Sequence, residues 1–152
     1  EVVMKDNIIN IKDYYKLDGR NNQSKIEKIT FGKAKLKENE AMNLALQYWL
    51  EDGRDLKLDK EIPIHQVIDS MLILASSLRY FQDAYRYDNL LADKEFIDKV
   101  GVQGAYLPLE FDWENEELKS DILAFDQELK DMGELLGDRL RALSYILEDL
   151  IY

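Results

Sequence analysis

Seven carboxylates stand at helical intervals late in the chain: Glu114, Glu117, Asp121, Glu128, Asp131, Glu134 and Asp138. Acidic pairs three or four residues apart share one helix face, and facing pairs are one way to hold a divalent cation through oxygen alone. Glu117 and Asp131, however, are 14 residues apart. On one continuous helix that is about 21 Å along the axis, whereas the ligands of one Mg²⁺ each lie about 2 Å from it. A second helix would have to supply the missing carboxylates. Asp69 and Asp83 are the helical candidates, and they flank an apolar seam rather than facing the acidic stripe. A solvated face beside that stripe is the simpler reading.

The other chemistry-bearing residues are sparse. His65 is the single histidine, near Asp59 and Glu61, with no hydroxyl or thiol nucleophile placed beside it. Phosphate-binding glycine loops and nucleophile-elbow motifs are missing. Zero cysteines rule out disulfides and thiolate metal sites. The pairs Glu114–Glu117 and Glu128–Asp131 have the E-x-x-E and E-x-x-D form with which all-α nucleotide pyrophosphohydrolases bind Mg²⁺. That resemblance implies a Mg-dependent nucleotide hydrolase, and it is confined to these four positions. Nothing else in the sequence calls for a cofactor.

What must position these groups is an apolar stripe. Leu118, Ile122, Phe125, Leu129, Met132, Leu136, Leu140, Leu143, Leu147 and Leu150 recur every three or four residues, which predicts one helix over about 113–151. Pro63 opens a second helix to about residue 89, with a heptad seam of Ile64, Val67, Met71, Leu74, Leu78, Phe81 and Tyr85. Met42, Ala45, Leu46, Trp49 and Leu50 predict a helix over about 36–52 with Gly53 as its stop, and Asp93 and Gly101 bracket a short one at 93–100. Gly133 and Gly137, four apart, each cost about 1 kcal/mol inside a helix. They either admit a close neighbour or mark a break. Tyr80, Phe81, Tyr85, Tyr87, Tyr106, Phe111 and Trp113 form either a binding patch or the capped end of a core.

Residues 1–35 lack a helical period. Ile9 and Ile11 precede the turn-rich Asp18-Gly19-Arg20-Asn21-Asn22, and Ile26, Ile29 and Phe31 follow it. This suits either a small hairpin or an arm that orders on a neighbour through Ile9, Ile11, Tyr14 and Tyr15. The expected fold is mainly α: a bundle of three main helices over 36–152 behind a non-helical arm or hairpin over 1–35.

The net charge of −11 is unevenly spread. Residues 1–60 hold 12 Lys/Arg against 11 Asp/Glu, and residues 61–152 hold 8 against 20. An acidic body of this kind repels phosphate backbones, which argues against direct nucleic-acid binding. No apolar run reaches the roughly 18 residues of a membrane span, and the chain reads as cytoplasmic. The sequence predicts a non-catalytic interaction protein, an assembly subunit or adaptor that meets a protein partner or its own copies through the long C-terminal helix and the arm. Its candidate contact residues are Ile9, Ile11, Tyr14, Tyr15, Glu114, Glu117, Asp121, Glu128, Asp131, Gly133, Gly137 and Asp138. Two alternatives stand beside it. One is an acidic inhibitor, of the kind phages encode, that mimics nucleic acid before a basic partner; the other is the Mg-dependent pyrophosphohydrolase.

Overall fold

The structure is a computed structural model and describes residues 7–22, 25–35, 44–87 and 98–151. The chain divides into two compact units, Glu1–Leu74 and Ala75–Tyr152. Among the described residues are six strands and four helices, including a four-stranded antiparallel sheet, so the expected all-α bundle is not the fold.

The first unit is a sheet of order β1-β2-β3-β4, from β1 (Asn7–Lys12), β2 (Ile26–Lys33), β3 (Leu44–Asp52) and β4 (Asp55–Pro63). α1 (Tyr14–Asn22) joins β1 to β2, so the N-terminal stretch is not the non-helical arm expected. The β-favouring runs on either side of α1 are paired strands, with Ile9 opposite Phe31 and Ile11 opposite Ile29. Asp13 precedes α1 at φ 56°, a left-handed conformation that Asp tolerates better than most residues. Its carbonyl accepts the Lys16 N–H at 2.9 Å.

The described part of the expected 36–52 helix is β3. Its apolar residues fit a helical stripe because the strand is covered on both faces. Ala45, Gln47 and Trp49 are buried on one face, and Leu46, Tyr48 and Leu50 are half-buried on the other. Gly53 therefore stops no helix. At φ 67° it takes the first central position of a two-residue turn between the paired Asp52 and Asp55, where a type II′ hairpin needs glycine. β4 alternates half-buried Leu56 and Leu58 with exposed Lys57 and Asp59, a period of two in a stretch whose composition reads as a polar connection.

α2 (Ile64–Tyr87) starts directly after Pro63 and runs from the first unit into the second. Its seam is divided. Ile64, Val67 and Ile68 lie with the sheet's Ile29, Phe31 and Leu46, while Leu78 and Phe81 lie with the helices of the second unit. A single long seam between two long helices is thus also overturned.

The second unit holds the rest of α2, the hairpin β5 (Asp98–Val102) and β6 (Ala105–Leu109), and helices α3 (Leu118–Asp131) and α4 (Gly133–Glu148). Gln103 and Gly104, at φ 48° and 77°, supply the two positive φ angles of a type I′ turn. β5 contradicts the short helix expected at 93–100 from residue 98 onward; 93–97 lie outside the described residues. The helix expected over 113–151 starts late and is broken. Asp112 Oδ1 accepts the Glu114 N–H at 3.2 Å and Asn115 Oδ1 accepts the Glu117 N–H at 2.9 Å, local turns that compete with helix until Leu118. Met132, at φ −90° and ψ 10°, then separates α3 from α4. Among the described residues of this unit, Phe81, Leu109 and Ile122 are buried and apolar. No described helix is long and apolar enough to cross a membrane.

Candidate functional site

One feature that could receive a partner is a cleft of about 500 Å³ within the second unit. Leu78 and Phe81 of α2, Leu129 of α3, and Leu136 and Leu140 of α4 form apolar walls, and Gly133 and Gly137 line the α4 side beside its leucines. A β-carbon added at Gly133 would meet no atom within 4 Å, and one at Gly137 would meet the Arg141 guanidinium at 3.1 Å. Gly133 therefore borders open space and Gly137 lies under the Arg141 side chain of its own helix. Asp126 and Lys130 pair across one turn at 2.9 Å on the cleft's edge.

Phe81 is the pivot of an aromatic ladder. Its ring meets Phe125 at 5.3 Å and Tyr80 at 5.7 Å, all edge-on; Tyr80 meets Phe111 at 5.5 Å, and Phe111 meets Trp113 at 5.9 Å. Burial pushes the Tyr80 hydroxyl's pKa up. Of the aromatic set picked out in the sequence, Tyr80, Phe81, Phe111 and Trp113 come together, Tyr106 is exposed on β6, and Phe125 joins as a member that spacing had assigned only to the stripe.

The acidic candidates do not converge. Glu114 and Glu117 sit in the turns before α3, not on a helix; Asp121, Glu128 and Asp131 are spread along α3, and Asp138 lies on α4, all exposed. Asp121 accepts from Asn115 Nδ2 at 2.9 Å, Asp131 accepts from Gln127 Nε2 at 3.0 Å, and Asp138 pairs with Arg141. Among the described residues no three carboxylates or imidazoles meet as metal ligands. His65 is exposed in the first turn of α2.

In the first unit, Ile9 and Ile11, each 51% exposed, border a second apolar cleft of about 340 Å³ over the sheet. Tyr14 is half-buried on α1, and Tyr15 carries the Lys16 ammonium 5.9 Å from its ring centre. On the sheet's other face lies a polar chain that the sequence reading missed. Trp49 Nε1 donates to Thr30 Oγ1 at 2.9 Å, Thr30 Oγ1 donates to Gln47 Oε1 at 2.7 Å, and Gln47 Nε2 donates to Glu61 Oε2 at 2.7 Å and to the Lys33 carbonyl at 3.1 Å. Glu61 Oε2 also accepts the Lys35 N–H at 2.7 Å. Thr30 and Gln47 within apolar strands were the available signal. Each of these donors has an acceptor, which suits a device that fixes strand register rather than one that waits for a ligand.

A charged cleft of about 240 Å³ at one end of the sheet is lined by Lys12, Asp13, Glu27, Lys28, Glu51 and Arg54. Burial and then the Glu51 and Asp13 carboxylates push the Glu27 pKa up from its ordinary 4.5. Burial and then Lys12 push that of Lys28 down. A carboxyl raised in the folded state contributes stability that is fully present below its ordinary pKa and lost as pH rises through the raised value. Glu27→Gln should therefore raise the urea midpoint at pH 7 and leave it unchanged at pH 3. An unchanged midpoint at pH 7 would contradict this placement of the charges.

The arrangement defines an α+β chain with two apolar clefts and no assembled catalytic constellation among its described residues. It belongs to a family of unknown function (DUF6530), whose profile matches residues 3–152. No curated protein and no solved structure matches it.

Proposed function

We propose that the chain is a non-catalytic protein-interaction module whose second unit holds an amphipathic, basic helix of a partner protein in the cleft between α2, α3 and α4. The observation that carries this reading is that α4 buries none of its residues, although it brings Leu136, Leu140, Tyr145, Ile146 and Leu147 along one short helix. An apolar cleft with a glycine side suits the close approach of a helix, which would enter through its own apolar stripe. Charge selects its flanks. Residues 110–152 hold 13 Asp/Glu against 4 Lys/Arg, so basic flanks are favoured over acidic ones.

The test is binding of designed peptides of about 18 residues, long enough to form a helix on contact. A Leu/Lys amphipathic peptide should bind at least about tenfold more tightly than its Leu/Glu counterpart at low salt, and Leu136→Asp should weaken it by at least about tenfold. Equal affinity for the two peptides, or indifference to Leu136→Asp, counts against the cleft.

The exposure of Glu114, Glu117, Asp121, Glu128, Asp131 and Asp138 favours a second reading. In it, an acidic surface occupies the nucleic-acid groove of a basic partner. Mimicry of that kind would weaken with Glu128→Gln and Asp131→Asn and be indifferent to Leu136→Asp.

A further inference from the structure

The two edges of the four-stranded sheet differ. β4 is defended in the usual manner of edge strands: Lys57 and Lys60 lie along it with Asp55, Asp59 and Glu61, and Pro63 closes it. β1, the opposite edge, reads Asn-Ile-Ile-Asn-Ile-Lys, without proline and with one charge at its end; its one irregularity lies between Asn7 and Ile9, and residues 9–12 keep regular register with β2. Ile8 is 70% exposed, Ile9 and Ile11 remain half exposed, and beyond β2 no strand pairs with β1 among the described residues. Such an edge presents a row of main-chain donors and acceptors flanked by apolar side chains.

We propose that β1 pairs antiparallel with β1 of a second copy, joining two four-stranded sheets into one of eight strands. Two observations select a second copy as the occupant. The first is self-complementarity. A two-fold axis at Asn10 places Asn10 opposite Asn10 and Ile9 opposite Ile11 within the regular stretch, and it sets the two Lys12 residues apart at opposite ends, so no like charges face each other. Because pairing keeps residues of one parity together, the Ile9 and Ile11 side chains of both copies fall on the same face. That is the face of the cleft containing Ile29, Phe31, Leu46, Val67 and Ile68, which the neighbour's isoleucines extend.

The second observation is charge. The first unit holds 12 Lys/Arg against 13 Asp/Glu over residues 1–74, while residues 75–152 hold 8 against 18. The repulsion between two acidic copies originates in the second unit, and the proposed edge belongs to the nearly neutral one.

The chain has no cysteine, which allows a direct test of register on the full protein. Opposed residues in an antiparallel pair have Cα atoms about 4.5–5.5 Å apart, within disulfide range. Asn10→Cys treated with diamide should give a cross-linked dimer at least about tenfold faster than Leu17→Cys, a comparably exposed position on α1, because pairing holds the two thiols at high effective concentration. Sedimentation should show a concentration-dependent rise to twice the chain mass. Ile11→Lys, checked by circular dichroism for an intact fold, should weaken the dimer by at least about tenfold. A monomeric mass at every concentration, including one accompanied by binding of an extended peptide, overturns the proposal. Equal cross-linking rates for the two cysteine variants also overturn it, and that comparison decides the matter even if Ile11→Lys fails to fold.

Discussion

Thr30→Val is expected to cost the sheet unit about 2–5 kcal/mol, because it leaves two buried groups without partners at once. Trp49 Nε1 loses its acceptor and Gln47 Oε1 loses its donor, at sites where Thr30, Gln47 and Trp49 have relative exposures of 1%, 0% and 1%. Valine has nearly the shape of threonine, so packing changes little and the loss isolates the hydroxyl's two hydrogen bonds. Thr30→Ser keeps the hydroxyl and should retain most of the stability. Urea denaturation followed by Trp49 fluorescence in a Trp113→Phe background reads this unit alone. A loss under about 1 kcal/mol would mean that the orphaned groups find other partners, and the polar chain would then not be what fixes the strands.

In the second unit the largest effect is expected from Phe81→Ala. Truncating a buried phenylalanine typically costs about 3–5 kcal/mol, and here two edge-on ring contacts, each of about 0.5–1.5 kcal/mol, go with it. Phe125 touches the same ring from a half-exposed position, so Phe125→Ala should cost clearly less. Trp113 fluorescence in a Trp49→Phe background follows this unit through Phe111, the ring between Trp113 and Tyr80. If Phe81→Ala and Phe125→Ala cost the same, the ladder has no pivot at Phe81. Phe81→Ala should also blunt peptide binding in the proposed cleft, since it removes one of the walls.

The sequence was legible where a single periodicity had no rival. The span from Ile64 to Tyr87 shows its helix plainly, and the C-terminal stripe is helical through most of its length. The Ile-rich runs around residues 9–11 and 26–31 are the strands their composition suggests. The readings that failed did so for identifiable reasons. A strand covered on both faces, β3, has apolar residues at spacings that also suit a helix, and Gly53, which suits a helix stop, is after Asp52 equally a hairpin signal. β4 hides its alternation in a stretch that is mostly charged, as an edge strand should. The break at Met132 leaves no mark in the stripe, since Leu129, Met132 and Leu136 keep their spacing through it, but the glycine pair offers a break as one of its two readings, and Gly133 opens α4 directly after it. The cleft residues of α4 were within view as a leucine stripe and a glycine pair, but their placement beside Phe81 depends on where α2 divides. The polar chain depends on strand register, which a sequence without a correct β3 could not supply.

The absence of any residue between Pro63 and Ile64 ties two geometries together. A strand alternates its faces every residue, and a helix turns by about 100° per residue. Inserting or deleting one residue within β4 would move Leu56 and Leu58 to the wrong side of the sheet or rotate Ile64, Val67 and Ile68 of α2 away from it. A flexible loop would absorb such a change, whereas a direct strand-to-helix junction passes it on. β4 thus acts as an index for α2, and changes in chain length are tolerable before or after this junction but not within it.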